Sequence, residues 1–240
     1  MNMKMRALMA NVLVLLATMA FGADEDVEKL LAKMREAYSG TKTARVVVRT
    51  TGSRFGKDPI TTVLTYMKER KIYAKISGQS SFPGKSRVFI SDGKKVSIDD
   101  LSGNVQQADF NLDFIPMPIN LEAMSFWDWK RQLSTAEGAN MNESKFRLRK
   151  DVSWNDKTWL VLEETAYGQN VYAEYYIDPK TSLIYRVLVY GLKDDRRGKL
   201  SLETVVTKLE RNIRVDAKLF KVNTKGNTIF RRSIEKKIDL

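Results

Sequence analysis

The apolar residues change their spacing at Gly40, and that change bounds what the chain can fold into. Before it, Val27, Leu30, Leu31, Met34 and Tyr38 recur at intervals of three and four, which is one stripe of a helix predicted over Asp24–Ser39. Asp24, Glu25, Asp26 and Glu28 crowd the first turn, where they complement the positive end of the helix dipole. Gly40 stands where a helix C-terminus favours left-handed backbone. After it the period is two. Strands are predicted at Thr43–Thr51, Thr61–Lys68, Lys71–Ser77, Ser86–Ser91, Lys95–Asp99, Lys145–Val152, Thr158–Glu164, Asn170–Ile177, Leu183–Leu192 and Leu200–Arg214. Short turns join them, among them Asp92-Gly93, Asn155-Asp156, Gly168-Gln169 and Asp178-Pro179-Lys180, with a charged connection over Lys193–Lys199. Strands in a meander pair antiparallel, with one face dry and one wet.

The middle of the chain breaks this pattern. Asp99–Asn120 is irregular and carries Pro116 and Pro118. Asn120 caps a second predicted helix running to Leu133, with Phe126, Trp129 and Leu133 on one face. The fold class expected is therefore mainly β (α+β): a single strongly curved antiparallel sheet forming an incomplete barrel, covered on its concave side by helices. Such a sheet either fills its interior with side chains or keeps an apolar cavity for a ligand. Phe126, Trp127 and Trp129 crowd one helix, and that excess suits the rim of an apolar groove.

Residues 1–22 read as a secretory leader. Lys4 and Arg6 precede an apolar run from Ala7 to Phe21, and Ala20-Phe21-Gly22 supplies small residues for cleavage before Ala23. The run is too short for a bilayer span of roughly 20 residues. The expected divisions are a signal peptide over 1–22, one domain over 23–222 and a basic tail over 223–240.

Composition then removes chemistries. The sequence has no His and no Cys, which excludes a Ser-His triad, a thiol nucleophile, a zinc finger and any disulfide. Glu163 and Glu164 are neighbours on a strand and so point to opposite faces, where they cannot share a site. Asp194-Asp195 reads as solvated turn charge, and Asp92-Gly93-Lys94 lacks the further glycines of a phosphate loop. A hydrolase resting on carboxylates alone would have Glu163 and Glu174 to use. No catalytic site, metal or cofactor is expected.

The formal net charge is +12, of which Lys4 and Arg6 in the leader carry two. Spread over alternating strand positions, the remainder is either a solvated face or an attraction to anionic headgroups. No nucleic-acid signature accompanies it. Lys221–Leu240 holds six basic and two acidic residues interleaved with Ile229, Phe230, Ile234 and Ile238. This is either an amphipathic appendage or a frayed end.

Four stretches, in order, resemble the LolA/LolB-like family of periplasmic outer-membrane lipoprotein carriers and lipid-binding relatives. They are the opening helix Val27-Glu-Lys-Leu-Leu-Ala-Lys-Met34, the hairpin Val88-Phe-Ile-Ser-Asp-Gly-Lys-Lys-Val-Ser-Ile98, the turn Tyr176-Ile-Asp-Pro-Lys-Thr-Ser-Leu-Ile184, and Asn212-Ile-Arg-Val-Asp-Ala-Lys-Leu-Phe220, which is similar to the family's closing strand. Phe126-Trp127-Asp128-Trp129 and the chain after Val222 have no counterpart in that pattern. The resemblance implies a half-barrel lidded by helices and no catalysis. It implies a periplasmic carrier that shelters acyl chains of lipoproteins or lipids in an apolar cavity and delivers them toward the outer membrane. Its partners would be an inner-membrane donor and an outer-membrane acceptor, and the chain would act as a monomer. The alternative within the same fold is a lipid-responsive sensor or regulatory partner of an envelope protein. Strand alternation offers Val46, Val48, Ile72, Ile76, Val88, Ile90, Phe146 and Leu148 as lining, with Phe126 and Trp127 from the lid, and ordinary core packing is the competing role for each.

Overall fold

The computed structural model describes residues 25–53, 59–69, 71–78, 86–101, 105–109, 144–166, 170–193, 196–223 and 228–229. A helix, α1, covers residues 25–39. Twelve strands follow: β1 (Thr43–Gly52), β2 (Ile60–Met67), β3 (Lys71–Ser77), β4 (Arg87–Asp92), β5 (Lys95–Asp99), β6 (Val105–Asp109), β7 (Ser144–Trp154), β8 (Lys157–Ala166), β9 (Val171–Ile177), β10 (Ile184–Lys193), β11 (Arg196–Arg211) and β12 (Thr228–Ile229). They form one sheet in the order β12-β6-β5-β4-β3-β2-β1-β11-β10-β9-β8-β7. The two ends are different strands, so the sheet is open. Every neighbouring pair for which a register is resolved runs antiparallel except β12, which joins β6 in parallel.

The mainly β, open antiparallel architecture expected from the alternation is what the chain adopts, with α1 at the place the apolar stripe marks. Three details differ. β6 and β12 were not foreseen, because Val105-Gln-Gln-Ala-Asp109 carries no apolar alternation and a two-residue strand carries no period at all. The connection expected over Lys193–Lys199 is shorter, with β11 starting at Arg196. The stretch from Asn212 to Phe220, expected as a closing strand, is none: Asn212 has φ 54° and Ala217–Phe220 is a 3-10 turn of helix whose cap, Asp216, accepts from the Lys218 amide. The helix expected over Asn120–Leu133, and Phe126 and Trp127 with it, lies outside the described residues.

The chain divides into two compact units, Met1–Tyr38 with Trp129–Leu200 and Ser39–Asp128 with Ser201–Leu240. In the first, β7–β10 carry α1. The α1 stripe of Val27, Leu30, Leu31, Met34 and Tyr38 is buried. Tyr38 accepts from the Ile184 amide at 3.1 Å, and Asp26 pairs with Lys150 at 2.6 Å. The β7–β8 turn places Asn155 and Asp156 at φ 49° and 56°, the two left-handed residues that a type I′ hairpin requires.

In the second unit, β1–β6 and the rest of β11 form a sheet whose registers fix which residues share a face. Val46 lies opposite Leu64, Leu64 opposite Ala74, Ala74 opposite Phe89 and Phe89 opposite Ile98. The other face is crossed by the C-terminal segment. There the Asn223 amide donates to Ser97 Oγ at 3.3 Å, and Gln107 Nε2 donates to the Asn223 carbonyl at 2.8 Å. Phe220 and Val222 are buried in that segment. At the β4–β5 turn Gly93 has φ 96°, and Asp92 Oδ1 accepts from the amides of Lys94 and Lys95, each at 2.8 Å.

Candidate functional site

Two surfaces hold the residues of interest, one in each unit. In the second unit, Val46, Val48, Ile72 and Ile76 all sit on one sheet face and are buried. Leu64, Ala74 and Phe89 join them, giving an apolar field four strands wide of mostly short or branched side chains. Its margin is hydroxylic: Thr50 and Thr204 bring their Oγ1 atoms to 3.3 Å. The fully buried Thr62 lies between Val48 and Ile76, and its Oγ1 has no hydrogen-bond partner among the described residues. Val88 and Ile90 are on the opposite face, half-buried, across from Lys75 and Tyr73. The residue between them, Phe89, is the one that joins the buried field. Phe146 and Leu148 belong to β7 in the first unit, half-buried and across from Glu164 and Leu162. Within the second unit, Val46, Val48, Ile72 and Ile76 thus share one buried face, and Val88 and Ile90 lie on the other.

The second surface lies in the first unit and was not foreseen as a site. Register places Arg147 opposite Glu163 and Glu163 opposite Glu174 on one face of β7, β8 and β9. Two carboxylates facing each other across strands repel, and guanidinium groups compensate. Arg149 bridges them, with Nε 2.6 Å from Glu163 and Nη2 3.3 Å from Glu174. Arg197 Nη1 donates to Glu174 Oε1 at 2.6 Å. Arg147 stands farther off, at 4.0 Å from Glu163, with 79% of its side chain exposed. The Glu174 side chain is only 2% exposed, so its charge needs these partners.

Beside this network the same face is aromatic. Trp159, Val161, Tyr176, Leu188 and Tyr190 form a buried cluster, with Val152, Trp154, Tyr172 and Tyr185 packed against it. Arg197 lies 4.6 Å over the Tyr190 ring, and Arg186 lies 4.7 Å over Trp154 and 5.0 Å over Tyr176. Such stacking fixes a guanidinium while leaving its edge available for hydrogen bonds. Burial, then the hydrogen bond and charge of Glu163, push the Tyr172 phenol well up. Burial, then the charge of Glu174, push Tyr176 and Tyr190 up. The hydrogen bond that Arg197 donates to Glu174 is the largest influence holding Arg197 protonated.

A groove of about 650 Å³ opens on this network, lined by Lys145, Phe146, Arg147, Arg149, Glu163, Thr165, Tyr172, Glu174 and Arg197. Its charged lining is four cations against two anions. Glu163 and Glu174, the pair that a carboxylate hydrolase would use, are both engaged by arginine, which suits charge compensation more than proton transfer. Glu164 points to the other face, where it accepts from Tyr175 Oη at 2.8 Å, as the strand alternation requires. Sequence reasoning missed the groove because Arg149, Glu163, Glu174 and Arg197 lie on four strands, and nothing local fixes their register. The one available signal was the set of charges recurring at period two along Lys145-Phe-Arg-Leu-Arg149.

No protein family's model matches the sequence, and no curated protein matches it. Solved structures do match in fold. An uncharacterized conserved protein from Thermus thermophilus aligns at TM-score 0.54 and 12% identity, over 86% of this chain and 99% of that one. MucB aligns at TM-score 0.49 and 14% identity over 85% of this chain, which spans only 66% of the MucB chain. A LolA superfamily protein from Nitrosomonas europaea aligns at TM-score 0.35 and 13% identity, over 81% of this chain and 96% of that one. At these identities the likeness is one of fold.

Proposed function

We propose that the chain is a non-catalytic acyl-chain carrier of the cell envelope, exported by its leader and working in the periplasm. The observation that carries this reading is the apolar field on β1–β4, where Val46, Val48, Ile72 and Ile76 lie side by side with Ala74 and Phe89. Branched aliphatic side chains over several adjacent strands form a smooth surface on which a hydrocarbon chain can lie. Each methylene sheltered there is worth about 0.8 kcal/mol, so a few suffice to offset displacing whatever covers the field. The Thr62 hydroxyl, which has no hydrogen-bond partner among the described residues, would donate to a ligand carbonyl at its margin. The lack of His and Cys and the resemblance of four sequence stretches to lipoprotein carriers support the same reading.

The test is native mass spectrometry of the freshly purified mature chain, followed by titration of the delipidated protein with a fluorescent fatty acid. Copurified lipid, or saturable binding of the probe with one site per chain, is expected. A lipid-free spectrum together with no saturable binding would remove the carrier reading.

A further inference from the structure

Thr62 interrupts the apolar field of β1–β4 in a way that core packing does not explain. It is 0% exposed, between Val48 and Ile76, and its Oγ1 has no hydrogen-bond partner among the described residues. Valine has nearly the same shape, and a buried hydroxyl without a partner forfeits the hydrogen bonds it makes in water. Packing alone therefore favours valine here, as at Val46 and Val48 on the adjoining strand. Other hydroxyls of this face are provided for. Ser91, farther along it, accepts from the Gly93 amide at 3.0 Å, and Tyr66 is engaged as well. Thr50, diagonal to Thr62 across β1 and β2, meets Thr204 at 3.3 Å. That pair holds two hydroxyl protons and shares one hydrogen bond, so a second donor stands at the same end of the field as Thr62.

We propose that Thr62 determines which chains the field accepts: it selects a hydrocarbon chain that begins at a neutral acyl carbonyl, an ester or an amide, over a chain without one. The inference rests on the carrier reading and goes beyond it by assigning the head of the chain to one residue. A hydroxyl is a neutral donor, and one such bond meets most of what a carbonyl oxygen gives up on leaving water. An ionised carboxylate in the same place would be left with far too little compensation. Thr62 has no partner to surrender among the described residues, so the bond is gained only when the ligand is in place. From Thr62 the same face continues through the rows of Val46, Leu64, Ala74 and Phe89 and then of Ala44 and Ile72. Four residues of strand give the tail roughly 13 Å of buried surface to follow.

The delipidated mature chain is equilibrated with radiolabelled methyl palmitate, N-methylpalmitamide or heptadecane delivered from cyclodextrin, and the bound ligand is counted. The parent should hold a carbonyl ligand about fivefold more tightly than heptadecane, the value of one net hydrogen bond. A preference for both carbonyl ligands assigns the site to the carbonyl itself, and a preference for one assigns it to the ester or to the amide. Thr62→Val should abolish the preference by weakening the carbonyl ligands while heptadecane binds as before. It removes a buried hydroxyl without a partner, so it should melt no lower than the parent. Thr62→Ser keeps the hydroxyl and should keep the preference. Equal binding of all three ligands by the parent, or a preference that survives in Thr62→Val, overturns this inference and leaves the carrier reading standing. No binding of any of the three removes both.

Discussion

Replacing Glu174 with Gln tests whether the arginines of the groove are truly anchored. The side chain is 2% exposed, with Arg197 at 2.6 Å and Arg149 at 3.3 Å. Tyr176 Oη donates to its other oxygen at 3.4 Å. Removing one member of a fully buried pair costs about 3–5 kcal/mol. Here the arginines are 52% and 36% exposed, so water recovers part of that cost, leaving about 2–3 kcal/mol. The substitution also relieves repulsion from Glu163 directly opposite, worth up to about 1 kcal/mol. The net expectation is a loss of about 2 kcal/mol, which for a chain of this size is a Tm drop of about 4–8 °C. Urea unfolding followed by tryptophan fluorescence reads this locally, since Trp154 and Trp159 belong to the adjoining aromatic cluster. Arg147→Gln serves as the control, because its 4.0 Å contact is exposed and should be worth less than about 0.5 kcal/mol. If Glu174→Gln stays within about 0.5 kcal/mol of the parent, or if Arg147→Gln costs as much, the anchoring argument fails.

Phe89 and its neighbours give a parity test: Phe89→Ala should cost about 3–5 kcal/mol in urea unfolding, and Val88→Ala clearly less, since only Phe89 is 1% exposed. Equal costs would mean the register of β4 is wrong. At Gly93, with φ 96°, an added Cβ would collide with the Glu69 carbonyl oxygen, so Gly93→Ala should lose about 1–3 kcal/mol. At Gly191 a Cβ meets open space, and the Ala variant should melt close to the parent; a tolerated Gly93→Ala would contradict the turn geometry. Stability should also fall in alkali. Tyr66, Tyr172, Tyr175, Tyr176 and Tyr190 are all pushed up, chiefly by burial. Above about pH 10 the unfolded chain releases protons that the folded chain retains. The stabilisation is complete below that pH and is lost as pH rises through the folded values. Spectrophotometric titration should show these five of the nine tyrosines ionising late, and a single step near pH 10 for all nine would refute it.

Local physics made much of the fold legible. The stripe from Val27 to Tyr38 could only be amphipathic as a helix, and it is buried as one. Alternation through Ala44, Val46 and Val48 placed a dry face, and Asp92-Gly93 and Asn155-Asp156 marked turns that need left-handed backbone, which they have. On β4 the same alternation offered Val88 and Ile90 as lining, but Val88-Phe89-Ile90 is apolar at every position, and only pairing with Ala74 and Ile98 makes Phe89 the residue on the buried face.

What the sequence by itself determined was the element type at most positions, because helix and strand periods are written in neighbouring residues. It determined too the chemistry that a chain without His or Cys forgoes. Tertiary structure alone decided which charges meet. Glu163 and Glu174 are eleven positions apart in the chain and become direct neighbours through the β8–β9 register. Arg149 and Arg197 reach them from β7 and β11. A one-residue slip in any of those pairings would turn the charges to the opposite face, so the basic groove exists only as a property of the assembled sheet.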